Sequence, residues 1–296
     1  MQAMILAAGF GTRLLPHTLI RPKPLFPILN QPLLLLTIER LQNLGFDHIV
    51  VNCHHLRQQI VTALRGLAGV VVQEEEVILG TGGGIRRARR LLRDEPVLVS
   101  NGDIYHTIDF LKLYNEHRNS GRAVTLAMHD YPRFNLATVI DGKVVNFSRT
   151  EKMAALAFSG LHVIEPTVLE DIEETGFSCI IEHYRKFIAQ GGEIGSFRCD
   201  GCYWTDMGTA EDYLALHYGL LTETIPCWQE IGPIDMPYCL AQGAQLGTQV
   251  EMHGWASIGN ANIGNKSYIE RSVVWDDVQL PKGYRAVDSI ISASVK

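Results

Sequence analysis

The sequence predicts a doubly wound, Rossmann-like mixed α/β sheet followed by a short C-terminal left-handed β-helix. Two observations carry this prediction. From Ala3 to Asp103, short apolar runs rich in β-branched residues alternate with helical ones, as parallel α/β units do. Near the C-terminus, small or aliphatic residues return in pairs every five or six positions, which is the period of a hexapeptide solenoid.

The elements follow in order. "AMILAAG" is a first buried strand, and "PLLLLTIERLQNLG" is a helix that ends at Gly45. "HIVVNC" and "GVVVQEE" are strands separated by the helical "LRQQIVTALRG". "GIRRARRLLRDE" is a helix with Ile85, Ala88, Leu91 and Leu92 inward and its arginines in solvent. "PVLVSNGD" ends a strand in a polar turn, the kind of place where doubly wound sheets bind ligands. From about Arg122 to Arg149 the pattern is of antiparallel strand pairs, with a hairpin turn at Asp141 to Lys143. "LAFSGLHVI" and "IGSFRCD" are strands, Pro166 to Thr175 and Cys179 to Gln190 are helical, and "YWTDMGTAEDYLALHYGLL" is a turn and a helix. The tail pairs include Val250 with Met252, Ala256 with Ile258, Ala261 with Ile263 and Val278 with Leu280. The expected organisation is an α/β core over 1–222, a linker over 223–240 and a β-helix over 241–296, the last an oligomerisation or packing module.

Composition excludes several functions. With 46% hydrophobic and 20% charged residues the chain of 296 buries a proper core, and a net charge of −6 provides no global field for nucleic acid or an anionic membrane. The start lacks a secretion signal and no apolar run is long enough to span a bilayer, so a cytoplasmic location is expected. Cys199 and Cys202 form the sole C-x-x-C, without the second pair a zinc site needs.

The informative stretch is "LAAGFGTRLLPHTLIRPKPLFPI". Gly9 and Gly11 lack the third glycine of a dinucleotide fingerprint, and no G-K-[ST] of a Walker loop follows. Pro16, Pro22, Pro24 and Pro27 forbid a continuous helix. What remains is a strand opening into a glycine turn and a stiff loop carrying Arg13, Arg21 and Lys23, suited to holding a polyphosphate.

The same string resembles the signature of sugar-1-phosphate nucleotidyltransferases, "LAAGxGTRLxPxTxxxPKPLxP". The resemblance continues through "NGD" at Asn101 to Asp103, "FSGLHVI" from Phe158 and "WTDMGTAEDY" from Trp204. It implies that Ala7, Ala8, Gly9, Gly11 and Thr12 bind nucleotide, and that Arg13 and Lys23 bind the triphosphate and help pyrophosphate leave. It further implies that Asp103 and Asp206 hold Mg²⁺ over the reacting phosphates. The implied partners are a nucleoside triphosphate and a sugar 1-phosphate, with no nucleic acid and no membrane; a homo-oligomer through the tail is expected.

For the base, Gly80, Thr81 and Gly82 of "ILGTGGGIRRA" form a turn able to lie flat against it, and Gln73 ends the preceding strand within hydrogen-bonding reach. "TGGGI", "NGDI" and "FSG" resemble N-acetylmuramate 1-phosphate uridylyltransferases, whereas mannose or heptose 1-phosphate guanylyltransferases show a similar "LGTGGA" or "LGTAGA"; the expected pair is UTP with an N-acetylmuramate or related sugar 1-phosphate, with GTP and mannose or heptose 1-phosphate as the alternative. For the sugar, the expected contacts are Asn101, Ser159, Gly160 and Lys152, with Arg149 as the alternative to Lys152 because the family's "EKP" lacks its proline in "RTEKMAAL". A non-catalytic NDP-sugar-binding regulator on the same fold is the reading from another class.

Overall fold

A computed structural model of the chain describes residues 1–148, 155–172 and 176–295. Contacts gather them into two compact units, one of Met1–Gly9 with Thr37–Trp204 and one of Phe10–Leu36 with Thr205–Lys296.

The first unit is a doubly wound sheet. Gln2–Leu6 lies between His48–Cys53 and Val97–Asn101, parallel to both, and His48–Cys53 carries Val70–Glu74 on its other edge. Ala155–Ile164 then runs antiparallel to Val97–Asn101 and to Val124–His129. Ile194–Arg198 is parallel to Val124–His129, and the hairpin Ala137–Ile140 with Lys143–Asn146 closes that edge. Asp141 and Gly142 both have positive φ, 47° and 72°, as a two-residue hairpin turn requires. Helices cover both faces, so the central strands read as unbroken apolar runs rather than alternating ones. Met4, Val50, Val97 and Val99 face one core with Ile85, Ala88 and Tyr184. The structure adds the helix Phe110–Ser120, which Asp109 caps by accepting from the Lys112 amide and Gly121 ends at φ 64°.

The second unit contains the proline-rich loop, the helix Ala210–Leu221 and the tail. The tail is built from parallel ladders. Gln245 pairs with Asn262 and Asn262 with Gln279, while Tyr268 pairs with Arg285 and Val273 with Ile290, a step of 17 residues each time. Three such ladders stack, the β-helical arrangement expected from the period. The corners between them repeat at the same step: Gln249, Lys266 and Gly283 have positive φ, and so do Gly254, Arg271 and Asp288. Ile263, Ile269, Val274 and Leu280 point inward and are buried. The expected linker over 223–240 is itself packed, since Trp228 and Ile231 are buried and Tyr238–Leu240 already pairs with the strand Glu251–Ile258. Among the described residues no helix is long and apolar enough to cross a membrane.

One core residue stands out chemically. His162, on the strand Ala155–Ile164, is fully buried between Phe158 and Tyr184, and neither ring nitrogen has a hydrogen-bond partner. Burial pushes its pKa down to about 3, with His117 nearby adding to the effect. The unfolded chain binds that proton near the ordinary value of 6.5, so the contribution to stability is present above 6.5 and is lost as pH falls toward 3. At pH 5 the loss amounts to about 2 kcal/mol. The variant His162→Leu is expected to remove that share of the acid sensitivity. Urea unfolding at pH 5 and pH 8 checks it; an unchanged pH dependence would show that His162 is not the titrating group.

Candidate active site

The end of the strand Gln2–Leu6 is held by side chains rather than by sheet. The Ala7 amide donates to Asn52 Oδ1 (2.8 Å), and Asn52 Nδ2 donates to Glu75 Oε1 (2.8 Å). Gln73 Nε2 donates to Glu75 Oε1 (3.3 Å) and to the Gly84 carbonyl (2.9 Å), while the Leu79 amide donates to Glu75 Oε2 (3.4 Å). Glu75 is 0% exposed, a buried carboxylate satisfied by donors from three segments. Neither Asn52 nor Glu75 was singled out from the sequence, because a carboxylate inside "EEE" reads as surface charge.

Gln73 is buried; its amide nitrogen donates to Gly84 and Glu75 and braces the network, while its Oε1 has no hydrogen-bond partner among the described residues. The glycines of "GTGGG" lie inside the helix Gly80–Ala88 and are pressed on protein. A Cβ on Gly82 would meet Ser178 Oγ at 2.9 Å, and one on Gly84 would meet Asn52 Nδ2 at 2.7 Å. Gly80, at φ 73°, faces the Ser178 carbonyl, and Thr81 Oγ1 accepts from the Ile180 amide (3.0 Å). These glycines permit close packing against the Ser178 segment and Asn52.

In the same unit, Asn101 and Asp103 flank Gly102, whose amide donates to the Leu6 carbonyl (2.8 Å). A Cβ on Gly102 would meet that carbonyl at 2.9 Å, so the glycine lets the turn lie on the first strand and sets where Asp103 projects. Gly160 has φ 82°, and a Cβ there would meet Asn101 Nδ2 at 2.5 Å. Ser159 is buried: its Oγ accepts from the Leu161 amide and its carbonyl accepts from Trp204 Nε1 (2.8 Å). Lys152 and Arg149 lie outside the described residues. The C-x-x-C cysteines are free thiols, and burial pushes the Cys199 pKa up to about 12 as its thiol donates to the Met128 carbonyl. That is the opposite of an activated thiolate.

The second unit carries the cations. The loop forms three single 3₁₀ turns, Thr12–Leu14, His17–Leu19 and Lys23–Leu25, as its prolines dictate. Gly11 sits at φ 63° with Thr18 Cγ2 only 2.8 Å from where a Cβ would stand, so a side chain is excluded there on both counts. Arg13 Nη2 pairs with Asp206 Oδ2 (2.9 Å), and Lys23 Nζ donates to the Asp206 carbonyl (2.6 Å). Asp206 Oδ1 accepts from the Gly208 amide (3.1 Å). Gly208 was missed in the sequence, yet a Cβ there would meet Arg13 Nη1 at 2.5 Å. Positions 193 and 183 residues apart thus bring two cations to one aspartate, Arg13 at its carboxylate and Lys23 at its backbone carbonyl. Arg21 points elsewhere, with its guanidinium over Trp275.

Asp103 and Asp206 are hard oxygen donors, and Mg²⁺ commonly takes one or two carboxylates with the rest of its shell from phosphate and water. Among the described residues no group of three or more His, Cys, Asp or Glu side chains could by itself hold a metal ion.

With the loop, its cations and its carboxylate in place, the kinship is definite. The sequence profile of the family described as Nucleotidyl transferase matches residues 2–223, and the chain belongs to that family. Mannose-1-phosphate guanyltransferase of Debaryomyces hansenii is 31% identical over 235 residues, 73% of this chain; the match spans 63% of that protein. UTP-glucose-1-phosphate uridylyltransferase of Synechocystis sp. is 26% identical over 338 aligned positions, covering 98% of this chain and 87% of the relative. The crystal structure of HddC from Yersinia pseudotuberculosis complexed with GMP-PN superposes with a TM-score of 0.61 at 24% identity, over 73% of this chain and 97% of that one.

The buried network makes a direct prediction. In Glu75→Gln the new amide must face at least one donor, because Asn52 and Gln73 are oriented by Ala7 and Gly84 and cannot turn over. A loss of about 1–3 kcal/mol in urea unfolding is expected. Wild-type stability in this variant would mean that the carboxylate does not hold the strand end.

Proposed function

We propose that the chain transfers a nucleotidyl group from a nucleoside triphosphate to a sugar 1-phosphate. The observation that carries this reading is the convergence of Arg13 and Lys23 on Asp206 behind the glycine turn. An oxygen of the sugar 1-phosphate attacks the α-phosphorus, the bond to the bridging oxygen of the β-phosphate breaks, and pyrophosphate leaves. The nucleophile is already an anion, so no general base is required, and catalysis consists of positioning two anions and neutralising charge.

Lys23, only 5% exposed, is a fixed cation whose ammonium is oriented by the Asp206 carbonyl. Arg13, with its side chain 56% exposed, is free to exchange the Asp206 carboxylate for a phosphate oxygen, since an exposed ion pair contributes about 0–1 kcal/mol. The backbone amides of Ala8, Gly9, Gly11 and Thr12 supply further donors to the phosphates. Asp103 and Asp206 would hold Mg²⁺, which when bound supplies charge neutralisation to the phosphates.

GTP with a mannose-type hexose or heptose 1-phosphate is taken first, supported by the 31% identity to a mannose-1-phosphate guanyltransferase. UTP with N-acetylmuramate 1-phosphate is the second reading, favoured by the "TGGGI" and "FSG" stretches and by likeness to a uridylyltransferase along 98% of the chain. The test is pyrophosphate release with Mg²⁺ over a grid of GTP, UTP, CTP, dTTP and ATP against mannose, heptose, glucose and N-acetylmuramate 1-phosphates. One strong combination is expected. Arg13→Ala should then raise the KM for the triphosphate by about tenfold or more, and Asp103→Asn should lower kcat by about a hundredfold or more. Unchanged kinetics in either variant removes that residue from the site. A folded protein that binds NDP-sugars but gives an empty grid would point to the regulatory reading instead.

A further inference from the structure

The proline-rich loop is held from behind by the tail. Trp275, 1% exposed, is the centre of the contact. Phe26 meets its ring edge-on at 4.6 Å between centroids, His17 lies at 5.9 Å, and the Arg21 guanidinium sits 4.9 Å over it. The indole Nε1 donates to the Tyr213 hydroxyl (3.3 Å), which in turn donates to the Pro27 carbonyl (2.5 Å). Around this core, Arg21 faces Asp276 at 3.7 Å, and His17 Nδ1 shares a hydrogen bond with Ser292 Oγ (2.7 Å). Asn30 donates to the carbonyls of Cys239 (3.2 Å) and Ile258 (3.0 Å) and accepts from Ser257 Oγ (3.1 Å).

The loop has little of its own to keep its shape. Its internal order consists of three single 3₁₀ turns and one two-residue strand pair, Pro27–Ile28 with Gln31–Pro32. Segments this short do not stabilise themselves. Yet Lys23 lies between Arg21 and Phe26, the two residues that grip Trp275, and Arg13 precedes His17 by four positions. Whatever fixes Arg21, Phe26 and His17 therefore fixes the backbone from which both cations project.

We propose that Trp275 is a positioning residue for the reaction: the tail holds the loop in the conformation that directs Arg13 and Lys23 toward Asp206. This rests on the reading of the loop as the triphosphate site. It assigns the tail a part in the chemistry, in place of the packing or assembly role expected from its repeat. Because displacements of about 1 Å at reacting groups cost about a hundredfold in rate, a loosened loop has a measurable signature.

The experiment compares Trp275→Ala and Trp275→Phe with wild type, each first shown folded by circular dichroism and thermal unfolding. In Trp275→Ala, kcat/KM for the triphosphate is expected to fall about 10- to 100-fold. The KM for sugar 1-phosphate should hold within about twofold, and amide exchange over residues 10–36 should speed up. Trp275→Phe keeps the aromatic contact with Phe26 and should recover most of the loss. A merely structural role would lower thermal stability and leave the kinetics of the folded protein equal for both substrates; that result overturns the proposal. Should Trp275→Ala fail to fold, Asp276→Asn makes the same comparison from the partly exposed end of the contact: faster exchange with a raised triphosphate KM supports the proposal, and neither change overturns it. An inactive wild type would refute the nucleotidyl-transfer reading alone, because loop exchange in the variants still reports whether Trp275 holds the segment.

Discussion

The hydrogen bond from the Ala7 amide to Asn52 Oδ1 is the contact on which the first unit's candidate site depends. A strand that ends in a loop must stop pairing with its neighbours, and its first unpaired amide needs a partner if it is not to be buried without one. Asn52 supplies that partner and is itself locked by Glu75, which also takes the Leu79 amide and the Gln73 side chain. Placing a carboxylate here is costly unless every oxygen is satisfied, and the donors converge from two strand ends and a helix start. The glycine-rich helix must then come close, which explains why Gly84 carries no side chain.

The second unit solves the same problem at the other end of the loop by a different means. Here the partner is apolar: an indole clasped by Phe26, His17 and Arg21. Polar locking suits the short turn after a strand, where backbone amides are few and fixed. A proline-rich segment has fewer amides to offer, so ring packing and a cation over a ring face do the holding.

Much of this was legible in the sequence, and the boundary of legibility is physical. The parallel strands were readable because both faces are covered, which leaves continuous runs such as "HIVVNC". The tail was readable because a solenoid repeats its own contacts at a constant step. The cations Arg13 and Lys23 and the carboxylate Asp206 were legible as motif residues, but their pairing was not, since it joins positions 193 residues apart. Glu75 was hidden because charge in a run of acids normally means solvent. The glycines after Leu79 signal close approach without saying what approaches, and the structure places the Ser178 segment and Asn52 against them. Trp275 was hidden for a related reason: within a hexapeptide repeat a large aromatic looks like filling, and only the fold turns it toward the loop.

The contrast between Lys23 and Arg13 ties these strands of argument together. Both approach Asp206, but one is almost wholly buried with a 2.6 Å bond to a carbonyl, and the other is more than half exposed and paired with a carboxylate. A buried ammonium cannot be moved without leaving its charge uncompensated, so Lys23 acts as a permanent part of the wall. An exposed guanidinium gives up its partner at small cost, so Arg13 is suited to follow a phosphate as charge develops on it. Such a division of labour works only if the backbone between the two cations is rigid, for a loop that yielded at Phe26 would carry Lys23 away from its carbonyl. The short turns of the loop cannot provide that rigidity themselves, and the ring of Trp275 behind them can.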